Sequence, residues 1–349
     1  MMSSYQKDLL NHLKPISHWV AERGGEASLR LPNLVLRVQC RNRAFDFQPQ
    51  FGRNDPKGEA TLALSFTSDV HSFVGWLPYF NKQWPAAQRK LAFKEFAQSR
   101  GIRTPGFSTR LNELETFLIK KTASSFGNGI RGPYRHASIE RPETMLGEGE
   151  YYEQFIAGRV LKALYWNGTP VCVELSDMAA ISGDGVRTIG TILGDLTKME
   201  SRRKGTMDMA TCMLALRDMT LDSIPAKGEV VNIECRYASP LFESTRENCN
   251  CISSVSTSLR IQLDIVGMKL VEAIPESIRE NTVFSVDGVV DETEDLWCFG
   301  MDCNPHIHPD IYPSILESLF ADHEVFAEAY KPLHLQNRFM QPPAIGQNS

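Results

Sequence analysis

The chain has 349 residues, 42% hydrophobic and 23% charged, with a formal net charge of −5. That length holds two or three domains or one multilayer fold, and the mildly acidic balance excludes a global basic field for nucleic acid or anionic membranes. No apolar run nears the roughly 18–20 residues that cross a bilayer. The polar start of the chain lacks a signal-peptide core, and its eight cysteines lie mostly in apolar segments and read as reduced thiols. The expectation is a cytoplasmic protein with no nucleic-acid or membrane partner.

In chain order, a helical pattern over 5–23 is broken near Pro15 and closed by Gly24-Gly25. A strand over 33–38 follows, then a Gly/Pro/Asn-rich loop at 52–58 and a strand at 61–66. Pro85 starts a helix that Gly101 ends, and Pro105 keeps 102–105 extended. The strand 116–121 runs into a Ser/Gly loop. Strands at 151–156 and 159–166 flank Gly158, and Asn167-Gly168 is a hairpin turn into the return strand 170–175. Helices are predicted at 206–218 and 256–274 with a strand over 230–236 between them. A second hairpin joins 282–290 to 296–303 through the acidic turn 291–295. An amphipathic helix over 311–330 closes the fold, and 331–349, with Pro342-Pro343, is expected to be a flexible tail. Strands and helices mixed in this way predict an α+β or α/β enzyme.

Four segments carry chemistry. Phe117-Leu118-Ile119-Lys120 delivers a fixed ammonium, and the loop after it (Ser124, Ser125, Phe126, Gly127, Asn128, Gly129) lets backbone N–H groups close on phosphate oxygens. It is not the Walker pattern, whose Lys follows the glycines, and alone it reads as an ordinary hairpin turn. Asp302 and Asn304 lie two apart on one strand and share a face, with Asp287 on the neighbouring strand. Such hard oxygen donors suit Mg²⁺ held together with nucleotide phosphates; either Asp alone reads as a solvated turn carboxylate. Glu153-Gln154-Phe155-Ile156 passes from an apolar strand into Gly158 and offers backbone groups to an adenine edge. Gly183-Asp184-Gly185 with Thr188-Ile189 is a tight loop opening a helix.

In this order the segments resemble the ATP-grasp superfamily, in particular its glutathione-synthetase-like and cyanophycin-synthetase-like branch, over about residues 81–325. Asn81-Lys82 followed by a helix and Gly101-Ile102-Arg103-Thr104-Pro105 looks like the family's "G-I-x-x-P" segment. Gly183-Asp184-Gly185-Val186-Arg187-Thr188-Ile189 resembles "G-D-G-x-x-T-I", and Asp302-Cys303-Asn304-Pro305 with His308 resembles "E-x-N-x-x-P…H". The resemblance implies an ATP-grasp fold, two α+β subdomains clasping nucleotide (85–150 the smaller, 151–330 the larger) after a small N-terminal domain over 1–84.

It further implies an ATP-dependent carboxylate–amine ligase working through an acyl phosphate on an amino acid or short peptide, with a homodimer as one assembly. Lys82 and Lys120 would meet nucleotide phosphates, the 124–129 loop would cover the γ-phosphate, Glu153, Gln154, Phe155 and Ile156 would hold adenine, and Lys162 would belong to the same nucleotide-binding set. Asp287, Asp302 and Asn304 would ligate Mg²⁺, or Mn²⁺ in its place. Arg236 would face the acyl phosphate and stabilise charge as the amine attacks, with Lys120 as the second catalytic cation.

The chain departs from the family at Asp302, where Glu is usual, at Val160, where an acid grips ribose, and at Lys162, where Arg is expected. Asp177 and Lys121 also stand where a basic residue and Pro are common. These departures motivate an alternative, a catalytically degenerate ATP-grasp protein that binds nucleotide or a partner. A zinc site from Cys298, Cys303, His306 and His308 is a third reading, opposed by the strand parity of 298 and 303.

Overall fold

The structure is a computed structural model that describes residues 4–31, 33–54, 60–111, 114–123, 129–139, 145–196, 200–236 and 250–321. It is a mixed α+β molecule with four antiparallel sheets. Helix α1 (Ser4–Glu22) leads into strands β1 (Glu26–Arg30), β2 (Val35–Cys40), β3 (Arg43–Asn54), β4 (Ala60–Ala63) and β5 (Val70–Leu77), which form a five-stranded sheet. Pro15 does not break α1, contrary to expectation. Its missing N–H loses one helical bond, and burial of Ile16, Trp19 and Val20 on one face carries the helix through. Gly52 lies inside β3 rather than in a loop.

Helices α2 (Pro85–Gln88) and α3 (Lys90–Ser99) replace the single helix expected at 85–100, because Arg89 between them is extended. A four-stranded sheet follows in the order β6 (Phe107–Ser108), β9 (Glu150–Gln154), β7 (Thr116–Lys121), β8 (Arg131–Arg135). The main sheet runs β11 (Thr169–Ser176), β10 (Arg159–Trp166), β14 (Val283–Val290), β15 (Leu296–Asp302). Between β11 and β14 lie the pair β12 (Ala179–Ser182) and β13 (Val230–Glu234) and the helices α4 (Ile189–Leu196), α5 (Glu200–Ala215), α6 (Thr257–Val271) and α7 (Glu276–Arg279). Helix α8 (Tyr312–Phe320) ends the described fold; the rest of the expected helix to 330 and the tail 331–349 lie outside the described residues.

Alternation along β10 divides the main sheet's duties. Leu161, Ala163 and Tyr165 join Phe284 and Val286 in a core against Leu259, Leu263 and Leu270 of α6 and Phe93 of α3. On the other face Leu164, Trp166 and Val283 enter a second core with Phe47, Phe51, Phe73 and Trp76 of the five-stranded sheet and Ile315, Leu316 and Leu319 of α8. The N-terminal sheet and the last described helix therefore share one core with the far ends of β10 and β14, and fix the strands whose near ends carry polar groups. The β10–β11 turn uses left-handed Asn167 and Gly168 (φ 51° and 85°), as two-residue hairpins require. Among the described residues, no helix is long and apolar enough to cross a membrane.

Candidate active site

A cavity of about 620 Å³ opens where the two four-stranded sheets, α2 and α3 meet. Lys120, Glu153, Gln154, Phe155, Ile156 and Lys162 line it, as do Arg236, Asp287, Asp302 and Asn304. Ten of the residues singled out in the sequence thus meet in one place. Lys82 does not: its ammonium donates to the Glu280 and Asn281 carbonyls at 2.5 and 3.1 Å and to Thr282 Oγ1 at 2.9 Å, and it sits over the Tyr79 ring. Its long stem is consumed in capping the approach to β14. Gly129 is left-handed (φ 73°) against the Lys121 stem and is not part of the lining. Ser124, Ser125, Phe126 and Gly127 lie outside the described residues.

The expectation missed Lys90 and Lys94. They stand i and i+4 on α3, the spacing that puts two side chains on one helix face; that spacing was the available signal. Lys90 lines the cavity. Burial first, then repulsion from Lys120, holds its ammonium down to about 8, against attraction from Glu153, Asp287 and Asp302. Lys94 is fully buried and pairs with Glu153 Oε2 at 2.7 Å, while Lys120 takes Glu153 Oε1 and lies over the Phe299 ring. Tyr151 Oη donates to the same carboxylate at 3.2 Å. Burial alone would raise Glu153, but the two ammonium groups outweigh it and hold the carboxyl at about 2. The Glu153 side chain is therefore spent on lysines rather than turned to a base.

Gln154 is spent as well, its Oε1 accepting from Gly106 N–H at 3.1 Å. The Ile156 backbone makes no hydrogen bond among the described residues. Gly158 returns this segment to β10 so closely that a Cβ there would lie 2.2 Å from the Val290 carbonyl oxygen, which only glycine permits. Beside it Val160, Met178, Met209 and Met213 pack with Ile130, Phe155 and Cys235 into an apolar wall, the kind of surface a flat ring fills.

The polar row crosses the main sheet in register: Glu174 of β11 opposite Lys162 of β10, and Lys162 opposite Asp287 of β14. Lys162 Nζ donates to Asp287 Oδ1 at 2.9 Å and to Asp302 Oδ2 at 3.5 Å. Burial would lower this ammonium, but Asp287, Asp302 and Glu174 outweigh it and raise it. Half of the Asp302 side chain is open to the cavity, yet desolvation by the surrounding wall raises its carboxyl, Asp287 adds to this, and Lys162 opposes it. Asn304 is oriented by its amide nitrogen, which donates to Asn81 Oδ1 at 3.0 Å and the Lys82 carbonyl at 3.2 Å; its Oδ1 meets buried Gln50 Nε2 at 3.5 Å. Two carboxylates that already share one cation, with an amide oxygen beside them, form a donor set that fits a hard divalent ion. On the opposite wall Arg236 Nε donates to Glu234 Oε1 at 2.8 Å, which fixes its guanidinium at the cavity.

The zinc expectation does not assemble. Cys298 is sealed in the α6 core. His308 instead lies with Cys172 and Glu174, their ligand-type atoms within 4.8 Å of one another. There His308 Nδ1 accepts from Asp310 N–H at 3.2 Å.

No family model matches the chain, and no curated protein matches it. The structure matches many solved ATP-grasp ligases at low identity. A bifunctional glutathione synthetase from Pasteurella multocida is 13% identical, with 89% of this chain and 44% of that one covered, at a TM-score of 0.43. A D-alanine–D-alanine ligase from Bacillus anthracis complexed with ATP is 11% identical over 67% and 61% (TM-score 0.33). N5-carboxyaminoimidazole ribonucleotide synthetase from Thermotoga maritima is 13% identical over 62% and 41% (TM-score 0.29). The chain covers less than two thirds of each. Likenesses of this size leave the site to be argued from its own residues.

Proposed function

We propose that the chain is an ATP-dependent carboxylate–amine ligase that forms an amide through an acyl phosphate, with an amino acid or short peptide among its substrates. The observation that carries this reading is the meeting of Asp287, Asp302 and Asn304 with Lys90, Lys120 and Arg236 around one cavity. A pure binding pocket has little need for an oxygen-donor face and separate fixed cations.

In this reading the apolar wall of Val160, Met178 and Phe155 takes the adenine, and the backbone at 154–156 meets its edge. Lys90 and Lys120 hold the phosphates, and Glu153 with Lys94 keeps Lys120 in place. Asp287, Asp302 and Asn304 would hold Mg²⁺, which would supply charge neutralisation to the phosphates. A substrate carboxylate oxygen attacks the γ-phosphorus and the bond to the ADP oxygen breaks. The amine then attacks the acyl carbon, the C–O bond to phosphate breaks, and the nitrogen loses a proton. Arg236 offers its guanidinium to the oxygens that gain charge in both steps. Positioning and charge neutralisation supply the catalysis; no residue need form a covalent bond.

The test is ADP release over an acid-by-amine matrix with mass spectrometry of products. Asn304→Ala should lose at least about tenfold in kcat if it removes a cation ligand. ADP release indifferent to Asn304→Ala would sink the assignment of this face. A second reading, a nucleotide-binding protein without catalysis, draws support from Val160 standing in an apolar cluster where a ribose-gripping acid was expected. Nucleotide binding with no turnover across the matrix would favour it.

A further inference from the structure

The row Glu174–Lys162–Asp287, with Asp302 beside it, places three carboxylates around one buried ammonium. Lys162 now sits between Asp287 and Asp302, where a divalent ion held by those two groups would also stand. An ammonium and a divalent cation a few ångströms apart repel strongly inside a protein, so both cannot keep these positions. Lysine has a flexible four-carbon stem and three rotatable donors. Directly opposite neighbours in a sheet are only about 5 Å apart at Cβ, so the ammonium reaches β11 without any backbone movement. What stands there is Glu174, 6% exposed, which makes no ion pair among the described residues.

Resting on the ligase reading above, we propose that Glu174 is a positioning residue that receives the Lys162 ammonium when a divalent cation occupies Asp287 and Asp302. The hand-over leaves neither the displaced ammonium nor the two aspartates without an opposite charge. Without cation, Lys162 serves Asp287 and Asp302; with it, the cation serves them and Lys162 serves Glu174. A carboxylate on the edge strand, away from the substrate cavity, thereby sets how readily the metal face loads. It also accounts for a buried acid at a position that touches no substrate.

The experiment titrates the full chain with Mn²⁺ in the absence of nucleotide, reading free Mn²⁺ by electron paramagnetic resonance. The variants are Glu174→Gln, Lys162→Met, their double variant, and Asp287→Asn as the control for the face itself. Glu174→Gln should weaken Mn²⁺ binding on the order of tenfold, because the displaced ammonium has no anion to meet. In the Lys162→Met background the same change should do almost nothing, since no ammonium remains to be moved. An equal effect in both backgrounds, or none in the wild type, overturns the hand-over. Glu174→Asp, which keeps the charge, should restore most of the affinity, and a failure to do so counts against it as well. If the wild type binds neither Mn²⁺ nor nucleotide with Mg²⁺, the ligase reading itself fails. Asp287-dependent Mn²⁺ binding that ignores Glu174 removes only the present proposal.

Discussion

Glu153→Gln tests the charge network at the back of the cavity. In the native chain the Glu153 side chain is 2% exposed, Lys94 0% and Lys120 7%, so water screens none of the three. The substitution keeps shape and removes charge, leaving two buried ammonium groups facing each other across an amide. Breaking a buried pair in this way costs about 3–5 kcal/mol. Holding the carboxyl at about 2 rather than 4.5 points to a similar size, roughly 3 kcal/mol at about 1.4 kcal/mol for each pH unit. The sign follows from linkage: a carboxyl lowered in the folded state stabilises above its unfolded value and loses that contribution as pH falls from about 4.5 through about 2. Urea unfolding at pH 7 should therefore show the variant about 3 kcal/mol less stable, and the gap should close steadily below pH 4.5. Adding Lys94→Met should recover part of the loss, because an apolar side chain replaces an uncompensated charge. A loss under about 1 kcal/mol at pH 7, or a gap that ignores pH, refutes the picture of a buried, ion-paired Glu153.

Two further outcomes follow from the geometry. Lys90 is held near 8, so nucleotide phosphates should restore its proton: calorimetry at pH 8.5–9 in buffers of different ionisation heat should show proton uptake on ATP binding (about pH 8–9 being the window between the free and bound values). Lys90→Met should abolish the uptake and weaken ATP about tenfold or more. Gly267 of α6 touches the β10–β11 turn so closely that a Cβ would lie 2.0 Å from the Gly168 carbonyl oxygen and 2.7 Å from the Tyr165 ring. Gly267→Ala should therefore cost about 1–3 kcal/mol by overpacking, despite alanine's better helix propensity, and a stabilised variant in thermal melts would contradict the packing.

Legibility in the sequence tracked how local each signal was. Thr116–Lys121 and Arg159–Trp166 could be read because their borders are marked by turns, and Asn167-Gly168 fixed the hairpin from Arg159–Trp166 into Thr169–Ser176. Of the five-stranded sheet only the strands at 33–38 and 61–66 were read; Arg43–Asn54 carries Pro49 and Gly52 and takes its order from pairing with β2, β4 and β5. At the site, residues on neighbouring strands came together as their parity demanded. Lys82 was read from its place before a helix, and its three oxygen acceptors at 280–282 could not be seen in one dimension. Glu153 was legible as a site residue but not as a counter-ion, because Lys94, far away in the chain, supplies its partner through the fold.

The cavity's charges explain why the face that would bind a cation can exist before any cation arrives. Asp287 and Asp302 bare and adjacent would repel; burial first raises the Asp302 carboxyl, and Asp287 adds to it. Lys162 relieves it from the next strand, while Glu153 pairs with both Lys94 and Lys120. Lys94, Lys120, Lys162 and Arg236 are thus each held by an anion of the protein until a ligand supplies a better one. A network built so is stable when empty and reorganises by side-chain rotation alone. The slow step on loading should therefore lie in ligand arrival or closure around it, and not in rebuilding the sheets that carry these groups.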